Sequence, residues 1–115
     1  MSPATELPQL TLYRDGRVNL NGQATWLLRQ AAAVRLLPPT QPRSRWQLLP
    51  YTEPEDDTVR LTSDRGLLRF SSAALATAMY AAQPEGCRSL RLELEPTSGH
   101  SYRLVVRAIG NNSGA

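Results

Sequence analysis

The chain has 115 residues, a net charge of +3 and a single cysteine. A domain of this size buries about two-thirds of its unfolded surface, so it needs neither a metal nor a disulfide to fold. Cys87 alone excludes an intramolecular disulfide, and we expect a cytoplasmic, reducing compartment. No apolar run approaches the roughly 20 residues that cross a bilayer, so we expect no membrane partner.

The first residues predict a β-hairpin followed by a short helix. Residues 10–13 alternate apolar and mixed side chains, which is typical of a strand. Asp15-Gly16 predicts a type I′ turn, in which both central residues have positive φ, and residues 17–20 form the return strand. Asn21 is the candidate helix N-cap, and the helix that follows has an apolar stripe of Ala24, Leu27, Leu28 and Ala31.

The middle of the chain predicts a strand pair and then a linker. The strands are expected at residues 34–37 and 46–49, on either side of a Pro-rich loop. Residues 50–58 form an acidic linker with four carboxylates and no basic residue. The linker acids are Glu53, Glu55, Asp56 and Asp57.

The second half repeats this order of elements. Strands are expected at residues 59–61 and 67–70, around a turn at Arg65-Gly66. Ser71 or Ser72 caps a second helix, whose apolar stripe is Leu75, Ala78, Met79 and Ala82. A strand pair at 89–94 and 102–107 closes the unit, and residues 1–7 and 111–115 are expected to be disordered tails.

The two halves align as an internal repeat. Gly16 falls on Gly66 at an offset of 50 residues, and Trp46 falls on Tyr102 at an offset of 56. We therefore predict a single domain that is mainly β (α+β). Two pseudo-symmetric strand-turn-helix-strand units, about 9–49 and 59–107, build a compact barrel-like core. Leu28 and Met79 are expected to be buried on the two helices.

The segment Gly16-Arg17-Val18-Asn19-Leu20 resembles the opening of the core motif of the swapped-hairpin regulators of the AbrB type. Residues 66–70 keep the spacing and apolar positions of that motif but lack the Arg after the Gly. Asn21 and Ser71 replace the proline of the family, and its Gly-Asp turn is absent. The duplication resembles the MraZ arrangement, with two units in one chain. The resemblance implies a barrel whose surface arginines bind DNA.

The arginines are unevenly distributed along the chain. All thirteen basic residues are Arg, a planar donor suited to phosphate. Residues 8–49 contain six of them against one acid, Asp15. The candidate DNA-binding residues flank the two turns or lie on the Pro-rich loop: Arg14, Arg17, Arg65, Arg69, Arg43 and Arg45. The other explanation is a solvated surface whose arginines pair with the acidic linker.

Catalysis is not indicated. His100 is the only histidine and lies on a predicted turn, and one His with one Cys cannot complete a zinc site. We expect no enzyme activity, no metal, no cofactor and no small-molecule substrate. Trp26, Trp46 and Tyr102 are candidates for base stacking, although the equivalence of the last two in the repeat favours packing.

Two functions remain open at this stage. The leading hypothesis is a DNA-binding transcriptional regulator of AbrB-like architecture. The alternative is a non-enzymatic protein-interaction or adaptor subunit that pairs through exposed strand edges with a protein partner or a second copy.

Overall fold

The computed structural model describes residues 7–42 and 44–111, and in that part of the chain one antiparallel sheet carries nine strands and two short helices. The elements, in chain order, are β1 Gln9–Tyr13, β2 Arg17–Leu20, α1 Gly22–Leu27, β3 Ala33–Leu37, β4 Gln47–Tyr51, β5 Val59–Arg60, β6 Thr62–Asp64, β7 Leu67–Ser71, α2 Ala73–Tyr80, β8 Cys87–Pro96 and β9 Tyr102–Asn111.

The sheet curls into a nearly closed barrel. Its strand order is β5-β3-β4-β9-β8-β1-β2-β7-β6, so the first and last strands are neighbours along the chain. Only Leu61 separates them, and its N–H donates to the Ala32 carbonyl at 3.0 Å. The segment from β5 to β6 therefore pairs first with β3 and then with β7. The prediction of a mainly β, barrel-like domain is confirmed.

The strand order is the same from either half of the chain when β5 and β6 together are matched with β1, β7 with β2, β8 with β3 and β9 with β4. The pair β1·β2 corresponds to β6·β7, β3·β4 to β8·β9, and β1·β8 to β5·β3. The pairs β2·β7 and β4·β9 join the halves, and their registers place Asn19 opposite Arg69 and Gln47 opposite Arg103. These partners are the residues that the two sequence offsets align. Superposition of the two units, with Gly16 on Gly66, stays a prediction.

The two hairpin turns differ by one residue. Arg65 and Gly66 have φ values of 56° and 85°, as a type I′ turn requires. The type I′ prediction at Asp15-Gly16 is wrong, because in this pair only Gly16 has a positive φ, 99°. The first loop runs from Arg14 to Gly16, and a loop of this length combines a type I turn with a left-handed residue. A Cβ on Gly16 would also lie 3.3 Å from the backbone at the start of α2.

Side-chain caps begin both helices where the sequence predicts them. Asn21 Oδ1 accepts from the Ala24 N–H at 2.8 Å, and Ser72 Oγ accepts from the Leu75 N–H at 3.1 Å. The first helix ends at Leu27, and Leu28 is its buried C-cap residue. It is therefore shorter than the stripe reaching Ala31 suggests.

The predicted stripe of α2 is partly wrong. Leu75 is buried as expected, but Ala78 and Ala82 are exposed and Met79 is only partly buried. The buried face is Leu75, Ala76 and Tyr80. Alanines on every side of the helix give the apolar pattern no clear direction, and Tyr80 decides the orientation. Its hydroxyl donates to the Leu12 carbonyl at 2.6 Å.

Two predicted boundaries also shift. Pro50 and Tyr51 belong to β4 rather than to the linker, and Pro50 is tolerated because β4 beyond Leu48 is paired on one side only. Asn111 ends β9, and the Leu7 carbonyl accepts from Asn21 Nδ2 at 2.9 Å, so the predicted tails are wrong at these two residues. The remaining tail residues lie outside the described part of the chain.

The core lies between the inner face of the barrel and the two helices. On β8, Leu90, Leu92 and Leu94 are fully buried and alternate with outward-facing residues, as predicted. β1 contributes Leu10 and Leu12 to the same cluster. The outward-facing residues on these strands therefore do not contribute to the core.

Truncation of Leu28 and Met79 tests the core assignment. Leu28→Ala is expected to lower the free energy of unfolding by about 2–5 kcal/mol, because the side chain is 2% exposed and its loss leaves a cavity. Met79→Ala is expected to cost only about 1 kcal/mol, since this side chain is only partly buried at the edge of the core. Urea denaturation measures both, with exposed Thr77→Ala as the control. Equal losses at Leu28 and Met79 would mean that the buried face of α2 is misassigned.

Candidate nucleic-acid interface

The pairing of β2 with β7 brings arginines from the two halves of the chain onto one outer surface. Val18 and Phe70 are opposite each other and buried, so their neighbours along each strand point outward. We call this outward patch the β2–β7 face; its residues are Arg17, Asn19, Arg69 and Ser71. They line a shallow depression of about 330 Å³ together with Thr62 and part of Phe70.

Each arginine of the face is held by a carboxylate of its own hairpin. Arg17 Nε lies 2.8 Å from Asp15 Oδ2, and Arg69 Nη1 lies 3.2 Å from Asp64 Oδ2. The hydrogen bond from the Arg17 backbone N–H to Asp15, with the guanidinium beside it, lowers the pKa of that carboxyl. About half or more of each of these side chains is exposed, so both ion pairs are weak and phosphate can compete with them.

Arg65 borders this face. It lies at the tip of the β6–β7 turn and is exposed. It lines a smaller depression of about 150 Å³ with Asp64 and Leu67, and Arg69 belongs to both depressions. Arg17, Arg65 and Arg69 are therefore brought onto one region of the surface.

Arg14 lies beside the first turn, as predicted, but its guanidinium is engaged by backbone carbonyls. Its Nε donates to the Cys87 carbonyl at 2.6 Å, and its Nη2 donates to the carbonyls of Pro84 at 2.8 Å and Glu85 at 3.3 Å. Its guanidinium also lies 4.6 Å from the centre of the Tyr80 ring. These contacts tie the connection between α2 and β8 to the first hairpin, and they engage Nε and Nη2, two of the three nitrogens of the guanidinium.

The two candidates on the Pro-rich loop do not join the face. Arg45 lies just before β4 and lines a separate depression with Leu37 and Pro38, which shares no residue with the grooves around Arg17 and Arg69. Arg43 lies outside the described residues. The structure thus brings Arg17, Arg65 and Arg69 onto one region of the surface, and Arg14 lines the adjoining groove that also contains Arg17.

Two arginines that the sequence did not single out lie beside the face. Arg88 and Arg91 are exposed on β8, and among the described residues neither has a carboxylate partner. Arg88 lines a groove of about 600 Å³ that also contains Tyr13 and Arg17. The alternation along β8 predicted that Arg91 points outward, whereas Arg88 has the parity of buried Leu90 and is exposed where the β8–β9 register shifts between Cys87 and Ser89. The nearness of Arg91 to the face depends on the pairing of β1 with β8.

Few aromatic surfaces are free for stacking on bases. Trp26 is 62% exposed, but Arg29 lies over its ring at 3.8 Å. Tyr13 carries the Arg17 guanidinium 4.7 Å from its ring centre. Trp46 and Tyr102 pack against the core, as the repeat suggested. The arrangement therefore favours contacts to phosphate over contacts to bases.

Comparison with protein-family models, with curated proteins and with solved structures finds no match to this chain. The resemblance to the AbrB-type regulators stays a prediction from the residues that carry it. No helix in the described ranges is long and apolar enough to cross a membrane.

Arg14→Ala and Arg17→Ala separate a structural arginine from a surface one. Arg14→Ala is expected to lower the free energy of unfolding by about 1–2 kcal/mol, because three backbone carbonyls lose a charged donor. Arg17→Ala is expected to change it by no more than about 0.5 kcal/mol, since its ion pair is exposed. Urea denaturation of both variants measures the difference. Equal stabilities would contradict the assigned role of Arg14.

Tyr80 gives the fold a pH dependence at the alkaline end. Burial of the phenol raises its pKa from 10.0 to about 12. Because the folded state holds this proton more tightly than the unfolded state, stability is expected to fall as pH rises from 10 to 12. The loss should reach about 2 kcal/mol, at about 1.4 kcal/mol per pKa unit.

The matched variant is Tyr80→Phe, which lacks both the proton and the hydrogen bond to Leu12. It should be less stable than wild type at pH 7 by about 1 kcal/mol. Because only wild type loses about 2 kcal/mol at alkaline pH, the gap should close between pH 10 and 12, and Tyr80→Phe should be the more stable protein at pH 12. Denaturation midpoints across this range give the result. A gap that stays constant would show that Tyr80 is not the titrating group.

Proposed function

We propose that this protein is a DNA-binding regulator whose β2–β7 face holds the phosphate backbone. The observation that carries the proposal is the meeting of Arg17 and Arg69, from different halves of the chain, on paired strands of one polar surface. The side chains between them, Asn19 and Ser71, are small and polar. A backbone can therefore approach the sheet closely. The regulatory role itself rests on the resemblance to the AbrB-type family.

The charges of the face suit exchange with a polyanion. Arg17 and Arg69 are already held in ion pairs with Asp15 and Asp64, which reduces the ordering that binding requires. In water these exposed ion pairs contribute little to stability, so little is lost when they break. Each phosphate contact releases a condensed counterion from the nucleic acid, which favours binding. Arg65 adds a third positive charge at the edge of the face. Binding of this kind weakens steeply as salt rises.

The shape of the surface favours backbone contacts over reading of bases. The face is the outside of a sheet, and its arginines stand beside Thr, Asn and Ser rather than on a projecting helix. Tyr13 is covered by Arg17, which leaves no bare ring at the centre. We therefore expect affinity to depend weakly on sequence.

One observation favours the alternative of a protein-interaction subunit. β4 pairs with β9 only at Tyr102 and Arg103, while β9 continues along β8 to Asn111. Among the described strands none lies on the other side of this stretch, where Val106 and Ile109 are exposed. The β8–β9 pairing is bulged at Arg91/Leu92, however, and a bulge beside Arg107 is the kind of feature that discourages edge pairing. The DNA-binding proposal is therefore preferred.

Fluorescence anisotropy of a labelled duplex, titrated at several salt concentrations, tests the proposal. Arg17→Ala and Arg69→Ala should each flatten the slope of log affinity against log salt by about one, because one phosphate contact is lost. Arg17→Lys should keep most of the slope but bind less tightly, since a bidentate contact becomes a point charge.

Arg45→Ala is the matched control, because Arg45 is also exposed but lies in a separate depression. It should leave the slope unchanged. The strand-edge model predicts no duplex binding near physiological salt, and any low-salt binding would then be indifferent to which Arg is removed. Either of those results would contradict the proposed function.

A further inference from the structure

Five outward residues form a continuous row across the outside of the barrel. Arg91 on β8 is opposite Thr11 on β1, and Thr11 is opposite Asn19 on β2. Asn19 is opposite Arg69 on β7, which is opposite Thr62 on β6. We call these residues the cross-strand row. Two small polar side chains in it thus separate Arg69 from Arg91.

The spacing in this row is set by the sheet itself. Directly opposed residues in antiparallel strands have Cα atoms about 4.5–5.5 Å apart, so three steps place Arg69 and Arg91 roughly 15 Å from each other. That separation is of the order of a groove in B-DNA, about 12 Å wide for the major groove. Successive phosphates of one strand lie much closer together, because each strand carries one charge per roughly 3.4 Å of helix axis.

Arg91 is free to bind an anion. Its outward neighbour on β8, Glu93, is already engaged by Arg107, whose Nε donates to Glu93 Oε1 at 2.6 Å. In the part of the chain that the structure describes, Arg91 has no carboxylate partner and is exposed. Arg69, in contrast, must exchange Asp64 for phosphate.

We propose that Arg91 contacts the second backbone of a nucleic-acid duplex, across a groove from the backbone that Arg17 and Arg69 hold. This inference rests on the proposed function and adds a selectivity to it. A duplex presents two backbones on the two sides of Thr11 and Asn19. A single strand can follow Arg17 and Arg69 without crossing to Arg91. Arg91 therefore makes the face prefer duplex over single strand.

The test compares two probes of equal length, a labelled 20-base-pair duplex and one of its strands, at about 0.1 M salt. Arg91→Ala should weaken duplex binding roughly three- to tenfold, as expected for one lost phosphate contact. Its affinity for the single strand should change less than twofold. Arg69→Ala should weaken both probes, Arg91→Lys should recover most of the duplex affinity, and Arg45→Ala should change neither.

The outcomes distinguish a failure of the Arg91 contact from a failure of the proposed DNA binding. If Arg91→Ala leaves duplex affinity intact while Arg17→Ala and Arg69→Ala reduce it, the second-backbone contact is wrong and the proposed function stands. Equal losses on duplex and single strand would also overturn the inference, since Arg91 would then be a general phosphate contact. If no variant changes either affinity, the proposed function itself fails. Denaturation curves that match wild type confirm that each variant is folded.

Discussion

The antiparallel pairing of β2 with β7 is the contact on which both the core and the candidate interface depend. Its register sets Val18 against Phe70 inside the barrel and leaves Arg17 and Arg69 outside. Because side chains alternate with a period of two, a slip of one residue would bury both arginines and expose both apolar side chains. The large cost of that exchange makes the register secure. The face is thus specified by the hydrophobic core rather than by its own polar contacts.

Other parts of the fold hold this pairing in place. The segment from β5 to β6 links the two ends of the sheet, so β7 is bounded by β2 on one side and β6 on the other. The Gly16 carbonyl accepts from the Ser72 N–H at 2.8 Å, which joins the first turn to the start of α2. Arg14 and Tyr80 anchor the far end of that helix. Residues built on such strands hold their positions better than residues on loops do.

Sequence patterns predicted the parts of the structure that local physics decides. Alternation located most of the strands, and Asn21 and Ser72 marked both helix starts through side-chain caps. The turn type at Asp15-Gly16 could not be predicted from the sequence, because an Asp-Gly pair occurs both in two-residue type I′ loops and in three-residue loops that end in a left-handed glycine. Met79 was misjudged because the alanines of α2 give the helix little amphipathic direction.

What the sequence could not predict at the candidate site depends on contacts distant in sequence. Arg14 and Arg17 flank the same turn and look alike, yet the carbonyls that bind Arg14 lie in residues 84–87. The position of Arg91 could not be predicted for the same reason, since only the pairing of β1 with β8 brings it level with Arg69. A net charge of +3 is modest, and Asp15 and Asp64 offset part of it at the face. Whatever selectivity this surface has must therefore come from the spacing of its arginines, which the strand registers fix, and not from the amount of charge.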